Sequence, residues 1–156
     1  MFRPMRRFKQ QLSEEECLEI LKTRPRGVLA LLGDEGYPYA VPLNYVYEDG
    51  KIYFHGAPEG HKADAVRLSG KASFCVMDEG EKKEGDWALW FRSVIVFGKI
   101  RILEDREEIL RQVLKLGLKY YPTKEEAEDV LKRTADRVAC YELTIEHMSG
   151  KRVHEK

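Results

Sequence analysis

Tyr53-Phe54-His55-Gly56-Ala57-Pro58-Glu59-Gly60-His61-Lys62 is the stretch of this chain best equipped for chemistry. A strand-like alternation runs into glycines and a proline, then meets His61 and Lys62 where a short helical pattern begins. Free N–H groups and a partial positive charge at a helix start bind anions, and a lysine adds a formal charge with three donors. A phosphate is the natural ligand for such a cradle. The competing reading is a surface turn with solvated side chains, and these residues alone do not separate the two.

Three other groups bear on a site. His55 ends its strand on the face it shares with Tyr53, opposite Ile52 and Phe54; it reads either as a ligand contact or as a half-buried core histidine. Val41-Pro42-Leu43-Asn44 lies in a strand carrying Pro38 and Pro42. Proline cannot donate to a ladder, so this strand belongs at an edge or a distorted place, with backbone groups free for a flat heterocycle or merely protected from aggregation. Arg92 and Ser93 follow Trp87, Trp90 and Phe91 and offer donors to an acceptor-rich ligand, although each aromatic alone also suits core or interface packing.

Other chemistries lack their motifs. No GxGxxG follows the first strand, and there is no P-loop and no GxSxG elbow. Cys17, Cys75 and Cys140 are too few and too widely spaced for a disulfide framework or a zinc site, and read as reduced, buried small hydrophobes; no metal site is expected. Lys plus Arg and Asp plus Glu both number 27, a balance that argues against a nucleic-acid binder despite Arg3, Arg6, Arg7 and Lys9. The N-terminus lacks the apolar run of a secretory signal, and no segment approaches the roughly 20 apolar residues of a membrane span. A cytoplasmic location, with no membrane partner, is the expectation.

The elements that must position these residues can be read from period and punctuation. The length of 156 residues suits one domain, and 43% hydrophobic content supplies a core. Residues 1–11 form a basic arm, 12–150 the domain, and 151–156 a polar tail. Ser13 with Glu16 makes a capping box for a helix that Pro25 stops. Strands are expected over 27–32, 38–47, 51–55, 72–77, 87–103 and 138–145. Glu48-Asp49-Gly50 marks a hairpin, Gly98 a bulge or bend, and a short helix spans Ala63 to Leu68. Two helices, Asp105 to Tyr120 and one opened by a Thr123–Glu126 capping box, precede the last strand. About six strands with short links predict a mainly β, α+β fold: a closed or nearly closed antiparallel barrel with flanking helices.

Taken together, Gly27-Val28-Leu29-Ala30, Gly36 to Tyr45, Ile52 to Ala57, Gly60-His61-Lys62, Arg67, Ser93 to Lys99, His147 and Gly150-Lys151 resemble the FMN-binding split-barrel superfamily. The resemblance is to its pyridoxamine 5′-phosphate oxidase-related branch, and within that to the nitroimidazole-resistance (Nim-type) flavoproteins. It implies a six-stranded Greek-key split barrel and a homodimer with FMN at the subunit interface. It further implies that Gly60-His61-Lys62 holds the phosphate and that Val41, Pro42, Leu43 and Asn44 run along the isoalloxazine with Phe54, His55 and Gly56 beside it. Arg92 and Ser93 complete the site from the same or the partner chain. The implied activity is reduction of a small-molecule electron acceptor such as a nitroaromatic or a quinone. The short polar tail, where true pyridoxamine phosphate oxidases carry a longer region that grips the substrate's phosphate, points away from a vitamin B6 phosphate. A non-catalytic FMN carrier or sensor, or a haem-binding barrel using His55, His61 or His147, stands as the alternative.

Overall fold

The computed structural model describes residues 1–154. Helix α1 (Glu14–Thr23) is opened by the Ser13 capping box: the Ser13 hydroxyl accepts from the Glu16 N–H at 3.2 Å, and the Glu16 carboxylate accepts from the Ser13 N–H at 2.8 Å. Strands β1 (Arg26–Leu32), β2 (Pro38–Asn44), β3 (Val46–Glu48) and β4 (Lys51–Gly56) follow, then α2 (His61–Leu68) and β5 (Lys71–Met77). A two-residue strand β6 (Glu81–Lys82) and the long β7 (Leu89–Ile102) lead to α3 (Arg106–Tyr120), α4 (Lys124–Thr134) and β8 (Ala139–His154).

The strands form one antiparallel sheet in the order β2-β1-β5-β7-β8-β4-β3, with β6 beside β7. β2 and β3 sit at opposite ends of this path, yet only Tyr45 separates them in the chain. A single residue cannot span a flat seven-strand sheet, so the sheet curls until its two ends meet. No ladder joins them, and the result is a split barrel.

Local sequence explains the turns. Asp49 and Gly50 both take positive φ, 46° and 78°, as a two-residue hairpin between β3 and β4 requires. Gly98 sits at the register shift between β7 and β8, where an added Cβ would come 2.1 Å from the Thr144 carbonyl oxygen. Only glycine permits that approach.

The barrel interior is packed by Leu29, Tyr45, Ile52, Phe54, Phe74, Val96, Tyr141 and Leu143, and capped by Cys17, Ile20 and Leu21 of α1. A second, smaller cluster (Tyr53, Leu103, Ile109, Val113, Cys140) joins the outer side of β4 and β8 to α3.

Several expectations need correction. Among the described residues the sheet has eight strands rather than six, because Tyr45 breaks the segment 38–47 in two and Glu81–Lys82 adds a short strand. The longest strand is β8, not β7. It runs through residues expected to be tail, since 151–154 pair with β7 (Ser93↔Lys151, Trp90↔His154), while 155–156 lie outside the described residues. α2 starts at His61, two residues early. The basic arm packs on the sheet, where Gln11 bridges Lys151 and Phe2 stacks on His147 at 4.7 Å, which agrees with the expectation of an arm. Cys17 and Cys140 are buried, but Cys75 lies half-exposed on the outer side of β5. All three are free thiols.

Candidate functional site

α2 begins at the mouth of the barrel. Gly60 precedes it at φ +114°, a conformation that side chains rarely adopt, and caps it with no side-chain bond. The first helical bond is Asp64 N–H to the Gly60 carbonyl, so the N–H groups of His61, Lys62 and Ala63 have no partner within the helix. Nothing lies within 4 Å of where a Gly60 Cβ would stand, so the approach is open.

Lys62 reaches back over the end of β4. Its ammonium is 4.9 Å from the centre of the Tyr141 ring, and a Cβ on Gly56 would come 2.6 Å from Nζ. Burial pulls the Lys62 pKa below its ordinary value, and no carboxylate among the described residues offsets that. A half-buried cation beside free helix N–H groups is a fitting seat for a phosphate dianion.

His61 turns the other way. Its ring stacks on Tyr39 (4.0 Å, 23°), and Nε2 accepts from the Asp34 N–H at 3.4 Å. The side chain therefore pins α2 to the β1–β2 turn, leaving its backbone N–H for an anion.

His55 does lie on the face of Tyr53, away from the barrel, and opens onto a cavity of about 230 Å³ beneath α3 and α4, which Asn44 also lines. Partial burial, followed by the charge of Lys62, lowers the His55 pKa and keeps the imidazole neutral at neutral pH. β2 is indeed an edge strand. Val41 and Leu43 turn inward against the core, Pro42 and Asn44 outward. Phe54 is wholly buried, with its ring edge-on to Phe74 at 5.1 Å, so its side chain serves the core and is not presented to a ligand.

Arg92 and Ser93 are not brought to this place within one chain. Ser93 pairs with Met77 and Lys151, far along β7 from Gly56. The Arg92 guanidinium donates to Asp78 at 3.0 Å and lies 3.7 Å from Glu19, in a groove shared with Arg24 and Arg152. Burial opposes ionisation of Asp78, but bonds from the Arg92 N–H and guanidinium outweigh it and hold the pKa low.

Sequence reading passed over Tyr141, Tyr39 and Asp34, the residues that hold Lys62 and His61, and the α3–α4 wall of the cavity. Tyr39 shares the inward face of β2 with Val41 and Leu43, so the alternation carried a signal for it; nothing local pointed to Tyr141, which arrives from a strand some eighty residues downstream. Among the described residues no cluster of three or more His, Cys, Asp or Glu is arranged for a metal. Among the described residues no helix is long and apolar enough to cross a membrane.

A family model described as pyridoxamine 5′-phosphate oxidase matches residues 13–152. No curated protein matches. Among solved structures, the chain is similar to an inferred 5-nitroimidazole antibiotic resistance protein from Bacteroides thetaiotaomicron, with 18% identity, TM-score 0.79, and 92% of this chain and 87% of that one covered. It is similar to an FAD-binding protein from Mesorhizobium loti, with 25% identity, TM-score 0.66, and coverage of 92% and 97%. It is also similar to a flavocytochrome from Azotobacter vinelandii, with 18% identity, TM-score 0.80, and coverage of 98% and 75%.

Proposed function

The chain belongs to the pyridoxamine 5′-phosphate oxidase family, and from that premise we propose that it binds FMN as a homodimer and reduces a small organic acceptor, as a nitroimidazole reductase-like oxidoreductase. The observation that carries the reading is the Lys62 ammonium, half-buried at the open start of α2 with no carboxylate partner among the described residues. Flavin-binding proteins stand among the structural neighbours, which supports a flavin as the phosphate-bearing ligand.

A bound flavin supplies the electron chemistry; the protein supplies binding, orientation and electrostatics. Lys62 and the N–H groups of His61 and Ala63 would hold the phosphate. Asn44, the β2 edge, His55 and Gly56 would flank the ring system, with His55 neutral and able to donate or accept a hydrogen bond. Val41 and Leu43 would contribute backbone only, since their side chains pack on the core.

The outer face of the sheet supports the homodimer. Its rows read Ala40–Ala30–Ser73–Phe97 and Pro42–Val28–Cys75–Ile95 across β2, β1, β5 and β7. Ile95 (41%) and Phe97 (39%) are well exposed there, as are Leu32 and Met77. A contiguous apolar face of this kind marks an interface, and a second copy across it would let Arg92 and Ser93 approach the partner's site.

The haem alternative has less support. His61 is engaged by Tyr39 and Asp34, His147 by Phe2, and the cavity beside His55 is far smaller than a porphyrin. The test is the visible spectrum of the purified protein, then titration with FMN and, in parallel, FAD. Flavin absorbance with turnover of a nitroaromatic by reduced nicotinamide is the expected result. Binding without turnover indicates a carrier, a Soret band indicates haem, and no flavin binding at all overturns the reading.

A further inference from the structure

We propose that the cavity between α3, α4 and the ends of β2 and β4 is a binding pocket for a small, neutral, planar aromatic molecule; this deepens the flavoprotein reading by naming the acceptor's seat and chemical class. Three features converge on it. The first is composition. In a chain 35% charged, the cavity is lined by Val113, Leu116, Val130, Leu131 and Val138, and no acidic, lysine or arginine side chain faces it. An ion entering would exchange water for hydrocarbon with no counter-charge, a transfer that costs several kcal/mol.

The second is how few uncharged polar groups the lining holds. Asn44 and His55 both line the cavity, and partial burial, followed by the charge of Lys62, lowers the His55 pKa and keeps the imidazole neutral. The Thr134 hydroxyl is already spent, donating to the Val130 carbonyl at 2.9 Å, and the Tyr120 hydroxyl is engaged with the backbone of Tyr45 and Pro25. Tyr121, 41% exposed, adds a second aromatic ring to the lining. A ligand would thus find hydrogen bonds from Asn44 and His55 and mainly apolar and aromatic contact elsewhere, the usual economy of small-molecule sites.

The third is size. At about 230 Å³ the space falls below that of drug-sized sites and suits a molecule of one or two rings. It is too small for a flavin, and Lys62 does not line it, so it is separate from the phosphate seat. The wall is purpose-shaped: α3 and α4 approach closely at Gly117, where an added Cβ would stand 3.1 Å from Ala127, and α4 buries only Ala127 fully while offering half-buried Val130, Leu131 and Thr134 to the cavity.

The test uses nitrobenzene and its charged analogue 4-nitrobenzenesulfonate, titrated into the full chain with and without FMN and followed by calorimetry and by the His55 ring resonances. Nitrobenzene should bind at least about tenfold more tightly than the sulfonate and shift the His55 signals. Val130→Trp, which fills the cavity, should weaken nitrobenzene binding by about tenfold or more while the FMN dissociation constant stays within about twofold. Equal affinity for the sulfonate, unmoved His55 resonances in the wild-type protein, or unchanged nitrobenzene binding in a folded Val130→Trp would each overturn the assignment. Nitrobenzene binding in a protein that takes no FMN would sink the flavin reading and leave the pocket standing. FMN binding without nitrobenzene binding would do the reverse.

Discussion

The Lys62 ammonium lies 4.9 Å from the centre of the Tyr141 ring, so a cation from α2 is stationed over an aromatic from β8. The pairing holds the charge at the helix start without neutralising it, because the ring offers only its quadrupole. Lys62→Ala should therefore lower FMN affinity by about 1.5–3 kcal/mol, the worth of a hydrogen bond to a charged group, and leave stability nearly unchanged. Titration of FMN into the variant, with a thermal melt alongside, decides it. An unaltered dissociation constant would show the turn to be ordinary surface.

Tyr141 can be separated from that role. Its hydroxyl donates to the Ala57 carbonyl at 2.9 Å and fixes the exit of β4. Tyr141→Phe keeps the ring under Lys62 and removes one neutral hydrogen bond, so stability should fall by about 0.5–1.5 kcal/mol with FMN affinity little changed. Gly56→Ala should do the converse: the new methyl would meet Nζ, displacing the lysine tip and weakening FMN binding more than stability. Denaturant melts and FMN titrations of the two variants side by side should show this crossed pattern.

The outer sheet face makes a separate prediction about assembly. Ile95→Asp or Phe97→Asp places a charge in the middle of the rows that a second copy would cover. Sedimentation should show the wild-type chain as a dimer and either variant shifted toward monomer, with FMN affinity lost in step if Arg92 and Ser93 act across the interface. A wild-type monomer that binds FMN fully would remove the partner's role.

How much of this could be read from the chain alone depends on the range of the interaction. The Ser13–Glu16 box, the Asp49-Gly50 hairpin, the Pro38/Pro42 edge and the Gly98 bulge are local devices, each set by a few neighbouring residues, and each appears where the sequence placed it. Residues 151–154 read as a polar tail because a strand wet on one face carries little apolar signal. What makes them strand is long-range pairing with β7. The site shows the same division. Lys62 and His55 stood out as candidates beside their blander readings, but the groups around them, Tyr141 and the α3–α4 wall, come from distant segments whose apolar period says only that they pack. Phe54 entered the candidate site through the family resemblance, while the alternation of its strand turns its side chain into the core.

His55 should leave a mark on the acid side of the stability curve. Burial and then Lys62 lower its folded pKa below the ordinary 6.5, so just below pH 6.5 the unfolded chain binds the proton and the folded chain does not. The stability contributed by the neutral imidazole is thus present above pH 6.5 and declines as pH falls. His55→Gln should flatten that decline relative to wild type in denaturant melts between about pH 5 and 7. A parallel pair of curves would mean that the ring titrates as it does in water.

Lys119 supplies the alkaline counterpart at the joint between β2 and β3. Its ammonium donates to the Arg24 carbonyl at 2.8 Å and the Tyr45 carbonyl at 2.9 Å and lies 3.8 Å from the centre of the buried Tyr45 ring. The neighbouring Tyr120 hydroxyl accepts from the Tyr45 N–H at 2.9 Å, so the residue that lets the sheet curl is clasped by the end of α3. Burial lowers the Lys119 pKa to about 8 from 10.5. Between those values the unfolded chain holds a proton that the folded chain has released, so this group's opposition to folding, complete below pH 8, is relieved as pH rises toward 10.5. Lys119→Met removes that slope and leaves two carbonyls short of a charged donor, for a net loss of about 1–3 kcal/mol at neutral pH. The gap between wild type and Lys119→Met should then widen from pH 8 to pH 10.5, read as the difference in denaturation midpoint. A gap that stays level across that window would mean that the two carbonyls and the Tyr45 ring compensate the ammonium for its lost water, and that the clasp works through hydrogen bonding alone.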